Sequence, residues 1–223
     1  MKMFDSAIGW DAARKSVRFT AARLAAEPAH KKHEKVFRGL LAEWNTIDGE
    51  RRDADDALVD AHAHVAATDD LLDQATFGFA RRLRHDLRSD DHPTFRKYFP
   101  ESPSEIIRLG LESQLERSAQ FHVVAREVPL DPEAKAILGE IAALDQRGRA
   151  VLAERVKAAQ VVAQISLRVQ AWKDKANAAR RSLDNLLDAH ALAQRLPRDY
   201  ADHFFPQTGK SRRKSQPKGD GEG

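Results

Sequence analysis

The chain predicts an all-α fold, an elongated helical bundle built on two long heptad-patterned helices with a tandem internal duplication. Three observations carry this. Ala, Leu, Arg, Asp and Glu dominate the sequence and β-branched residues are few, which favours helix over strand. Apolar residues recur three and four apart through two stretches of roughly 60 residues without an internal proline. Slid by about 104 residues, one stretch falls on the other. Pro28 then meets Pro132, Lys31 meets Lys135, Leu40 meets Leu144, Glu50-Arg51 meets Glu154-Arg155, and Leu83 meets Leu187. Each copy closes on a Phe-Pro pair, Phe99-Pro100 and Phe205-Pro206.

The elements follow in order. A first helix is expected from about Ser6 to Ala26, capped by Asp5 or Ser6 and stopped by Pro28, with Ile8, Ala12, Val17, Ala21 and Leu24 as its apolar stripe. The first long helix is expected from about Ala29 to Arg88. Its seam, from Phe37, Leu40, Trp44 and Ile47 through Arg51 to Phe79, Arg82 and Asp86, is hydrophobic at eleven of fifteen positions. The overall hydrophobic share of 42% would give about six, so the pattern marks a buried face. Ser89 to Pro93 reads as a loop and Thr94 to Phe99 as a short turn. Ser102-Pro103-Ser104-Glu105 is a capping box with proline at the first helical position, opening a helix expected to reach about Glu127. Asp131-Pro132-Glu133 opens the second long helix, whose seam runs from Ile137 through Arg155 to Ala193 and fails at Leu196-Pro197. Gly49 and Gly148 are the weak points, since glycine costs about 1 kcal/mol in a helix interior. The division expected is residues 1–101 as one helical repeat unit, 102–206 as the second, and 207–223 as a disordered basic tail.

Composition excludes more chemistry than it supports. There is no cysteine, so disulfides, thiolate metal sites and a cysteine nucleophile are ruled out. The net charge of +3 belongs to the tail, where Lys210, Arg212, Arg213, Lys214 and Lys218 face Asp220 and Glu222; the remainder is balanced. The N-terminal residues lack a signal-like apolar run and no transmembrane run follows, so cytoplasmic residence is expected.

Candidate sites are few. Asp56, Asp60 and His64 share one helical face, the pattern of a metal site in a bundle, but the paired Glu-x-x-His set of carboxylate-bridged metal bundles is absent, so no metal and no cofactor is expected. His30-x-x-His33-Glu34 and Asp199-x-x-x-His203 read as solvated polar groups. Arg51 and Arg155 stand on apolar seams, either reaching out to solvent along their stems or fixing the register through Glu50 or Glu154. Phe95, Tyr98, Phe99, Tyr200, Phe204 and Phe205 read as lids over the bundle ends, or as aromatic patches that dock a partner. Phosphate-loop, dinucleotide, zinc-protease and serine-hydrolase motifs are all missing, so nothing motivates an enzyme. The function expected is that of a non-enzymatic scaffold or adaptor acting through protein–protein contact or self-association. A nucleic-acid-associated protein using the basic tail, or binding an anionic surface with it, is the first alternative, and a metal-binding bundle the second.

Overall fold

The computed structural model describes Met3, Phe4 and residues 7–206. The basic tail, Lys210 and Arg212–Lys214 included, and the caps expected at Asp5 and Ser6 lie outside the described residues. The chain is all-α. Helix α1 spans Trp10–Ala26, α2 Glu34–Leu87, α3 Pro93–Tyr98, α4 Pro103–Ile106, α5 Leu111–Glu127 and α6 Pro132–Ala193, with 3-10 turns at Lys31–His33 and Ala201–Phe204. Among the described residues no helix is long and apolar enough to cross a membrane.

Both long helices run unbroken past their glycines. The two glycines serve different ends. A Cβ on Gly49 would meet nothing within 4 Å, whereas one on Gly148 would lie 2.9 Å from a Leu115 methyl, so Gly148 lets α5 approach α6 closely. Each long helix ends on an arginine in the left-handed region, Arg88 at φ 59° and Arg195 at φ 55°, the conformation that turns the chain out of a helix.

Two expectations about the short helices are corrected. The first helix starts at Trp10 after Gly9, with no side-chain cap. The helix opened by Ser102 forms its capping box but stops at Ile106, and a new helix starts after Gly110, whose φ of 74° breaks the run. Ile106, Ile107 and Leu109 continue the apolar character through the break, so hydrophobicity hides it. With that break, α1 and α5 are each 17 residues long, each preceded by a glycine and followed by an extended residue.

The described chain forms two compact units. The terminal unit comprises the described residues within 1–50 and 165–206, and the internal unit residues 51–164. This division differs from the expected cut near residue 101. Each unit takes a short helix and the start of one long helix, together with the end of the other long helix and its Phe-Pro turn.

In the terminal unit α2 and α6 run antiparallel, tied by Glu43 to Lys175 at 2.6 Å, by Glu50 to Arg168, and by the Trp172 Nε1–H donating to the Leu40 carbonyl at 2.8 Å. The core holds all three tryptophans. Trp10 stacks on Trp44 and meets Trp172 edge-on, each at 5.0 Å. The Trp10 Nε1–H donates to Asp48 at 3.0 Å, which anchors α1 on α2.

In the internal unit, Phe79 of α2 packs against Tyr98, Phe99 and Phe121 at 5.3 to 6.0 Å. Leu72, Leu83, Leu115, Leu138 and Ile141 complete this core. Arg82 pairs with Asp86 on its own helix at 3.1 Å and joins the end of α2 to the start of α6 through Asp131 at 3.1 Å and Glu133 at 2.6 Å. Asp131 also caps α6 by accepting from the Glu133 and Ala134 amides. Burial alone would raise this carboxyl. Its hydrogen bonds with Asp86, Ala134, Arg82 and Glu133 outweigh that and hold it at about 2.

Candidate functional site

Arg51 is 40% exposed along its side chain and pairs with Asp55 at 2.9 Å, one turn along the same helix. Glu50 instead meets Arg168, and Glu154 lines a groove further along. Arg155 is half-buried on its seam.

Past Arg51 the internal unit thins. On α2 between Arg51 and Val65, Ala54 and Ala61 are the buried residues. On α6 no residue between Val151 and Ile165 is buried, although most are alanine, valine or leucine. Val59 is 65% exposed and Val156 51%. Helical geometry puts Leu152, Val156, Ala159 and Ala163 in one stripe, four, three and four residues apart. On another side, Ala54, Ala57, Ala61, Ala158 and Val161 floor a groove of about 370 Å³, with Asp60, His64, Glu154 and Lys157 along its edges. Two of the three metal candidates, Asp60 and His64, thus share this groove with a lysine. Among the described residues no three His, Cys, Asp or Glu side chains converge as a metal site.

The aromatic ends correct the docking expectation. Phe95, Tyr98 and Phe99 are buried in the internal unit, and Phe204 and Phe205 in the terminal unit, with Tyr200 half-buried. Rings inside their own unit's core offer no face to a partner. They close the cores as lids. The Tyr98 hydroxyl donates to the Val128 carbonyl at 3.2 Å, fixing its lid to the end of α5.

Several polar clusters escaped the sequence reading. His30, grouped there with the solvated histidines, is 4% exposed. Its ring lies edge-on to His190 at 4.6 Å and to Phe204 at 5.4 Å, and its Nε2 hydrogen-bonds the Tyr200 hydroxyl at 3.0 Å. Burial, then the neighbouring His190 and His33, push its pKa below the ordinary histidine value. Asp199 and His203 do stand in solvent, 3.6 Å apart. Arg180 is 3% exposed and lies between the rings of Phe4 and Phe205, at 4.7 and 4.8 Å, while donating to Ser16 Oγ at 2.8 Å. Burial lowers its pKa to about 10. In the internal unit Asp145 receives the Ser118 hydroxyl at 2.6 Å and stands 3.9 Å from His122 Nε2; burial raises its pKa. The carboxylate, rather than the imidazole, takes the serine hydroxyl, and Ser118 and Asp145 are buried, so this trio ties α5 to α6 rather than activating a nucleophile. A cleft of about 380 Å³ between α1 and α2 is lined by Arg14, Arg18 and Arg38 over Ala21, Ala22 and Leu41.

These contacts were invisible in the sequence because they join positions far apart. Phe4, Arg180 and Phe205 meet only in the fold, as do His30, His190 and Tyr200. No protein-family model, curated protein or solved structure matches the chain.

Proposed function

We propose that this chain is a cytoplasmic, non-enzymatic scaffold or adaptor that binds protein, including further copies of itself, through the central stretch of its two long helices. One observation carries the reading. The α6 segment from Leu152 to Gln164 is dominated by apolar residues and buries none of them. Apolar side chains left in water along a regular helix favour burial against another helix by about 25 cal/mol per Å² covered. The exposed residues Val156, Ala159 and Ala163, continuing the line of Leu152, which packs partly against the internal core, have the spacing of a helix-pairing seam. The two long helices act as the coiled-coil frame of two related sequence copies, and their small-residue groove between Ala54 and Val161 accepts a close-packed partner helix.

A photo-reactive residue at position 156 tests this in the native cell, with the same residue at position 36, where Val36 is 56% exposed near the start of α2, as the control. Position 156 is expected to cross-link to protein several-fold more than position 36. Equal yields at the two positions would overturn the reading.

A further inference from the structure

The cluster around His30 joins three parts of the terminal unit through ionisable rings. His30 belongs to the turn after α1, with Glu27, Lys32 and His33 beside it. His190 belongs to the last turn of α6. Tyr200 and Phe204 belong to the segment Pro197–Phe205, which is held internally by the Tyr200 amide on the Pro197 carbonyl at 3.0 Å and the Phe205 amide on the Asp202 carbonyl at 3.2 Å. That segment covers the core with Ala201, Phe204 and Phe205. The His30–Tyr200 hydrogen bond ties it to the α1 turn.

We propose that His30 is an acid-sensitive latch: as neutral imidazole it holds the Pro197–Phe205 lid closed, and on protonation it releases the lid and uncovers the apolar core of the terminal unit. The surroundings favour the neutral ring. From α1 and its turn, Arg23, Lys32 and His33 bring positive or ionisable nitrogen, and Glu27 brings a carboxylate. From α6 comes His190, and from the lid the Tyr200 phenol and the Phe204 ring, over which Arg23 already lies at 5.6 Å. A proton on His30 is placed in a nearly water-free site facing more cationic groups than anionic ones. The chain has no cysteine, so no disulfide opposes this, and loss of the lid exposes Phe204 and Phe205.

Amide hydrogen exchange on the full chain, corrected for the intrinsic effect of pH, tests the latch. As pH falls below the ordinary histidine value of about 6.5, exchange in residues 197–205 is expected to rise several-fold, while residues 93–99, the lid of the internal unit, stay unchanged. The midpoint should coincide with the titration of the His30 imidazole protons by nuclear magnetic resonance. His30→Gln is expected to abolish the pH step, whatever its baseline. His190→Gln and His33→Gln should keep the step and move its midpoint to higher pH, because each removes a competing charge. The proposal fails if the wild-type lid shows no step, if the step survives His30→Gln at the same midpoint, or if either neighbouring substitution alone abolishes it.

Discussion

The two units solve one packing problem with different polar chemistry. Each closes its core with a short aromatic turn beyond a long helix, Phe95, Tyr98 and Phe99 in the internal unit and Ala201, Phe204 and Phe205 in the terminal unit. The internal lid is fastened by a tyrosine hydroxyl on a backbone carbonyl, which does not change between pH 5 and 8. The terminal lid is fastened by a tyrosine on a buried histidine, whose protonation changes as pH falls below the ordinary histidine value of about 6.5. Beneath the lids the contrast repeats. Where the internal unit has buried Thr76 and the ring cluster around Phe79, the matching positions of the terminal unit hold Arg180, sandwiched between two phenylalanines, and Leu183. One apolar frame therefore supports a closure indifferent to acid and another that senses it.

The comparison can be broken most forcefully in the cores. Phe79→Ala and Trp172→Ala each remove a fully buried ring and should cost about 3–5 kcal/mol. Urea unfolding followed by tryptophan fluorescence reads the terminal unit, since Trp10, Trp44 and Trp172 all lie there. Exchange protection around Phe121 reads the internal one. Should Phe79→Ala leave that protection intact, the ring cluster does not hold the internal unit together.

The glycines sharpen the same contrast at lower energy. Gly148→Ala should destabilise by about 1–2 kcal/mol, because its methyl meets Leu115, while Gly49→Ala should stabilise by about 1 kcal/mol through helix propensity alone. Thermal unfolding midpoints moving in the same direction would contradict the difference in packing.

Acid titration separates the units by range. His30 has its pKa lowered in the fold, so its contribution is present above the ordinary histidine value of about 6.5 and is lost as pH falls through the folded value. Asp131, held at about 2, contributes above the ordinary carboxylate value and loses that contribution only as pH falls towards 2. Exchange measured down the pH scale should show the 197–205 lid loosening first and the start of α6 much later. The smallest effect is expected at the helix ends, where Arg88→Gly and Arg195→Gly should each stabilise by about 1 kcal/mol by relieving a left-handed side-chain residue, read from the unfolding midpoint.

The apolar frame was legible in the sequence. Phe37, Leu40, Trp44, Ile47, Ala54, Ala61, Leu72 and Phe79 were all placed on the seam by spacing and all are buried. Their burial follows from a local rule, the helical repeat, which reads the same in sequence and in space. The break at Gly110 was hidden because a positive φ leaves no mark in hydrophobicity. The polar contacts were hidden for another reason. His30 is buried by Phe204 and by the tyrosine beside it, about 170 positions away, and Arg180 by a phenylalanine from each end of the described chain. No short window contains the groups that cover them. The stripe Leu152, Val156, Ala159 and Ala163 lies one position from the seam read through Val151, Arg155, Ala158 and Val162, and it was passed over because the heptad pattern singles out one face and says nothing of whether anything lies against its neighbour.

The way the units partition the chain has a consequence for synthesis on the ribosome. The internal unit is one uninterrupted stretch, so every residue it needs has emerged once Gln164 is clear of the exit tunnel. The terminal unit needs Phe4 and Phe205 together, and its first fifty residues must wait for the last part of α6 and the turn beyond it. Until then Trp10 and Trp44 have no Trp172 to close over them, so the N-terminal segment completes its core only after the internal unit has had all of its residues.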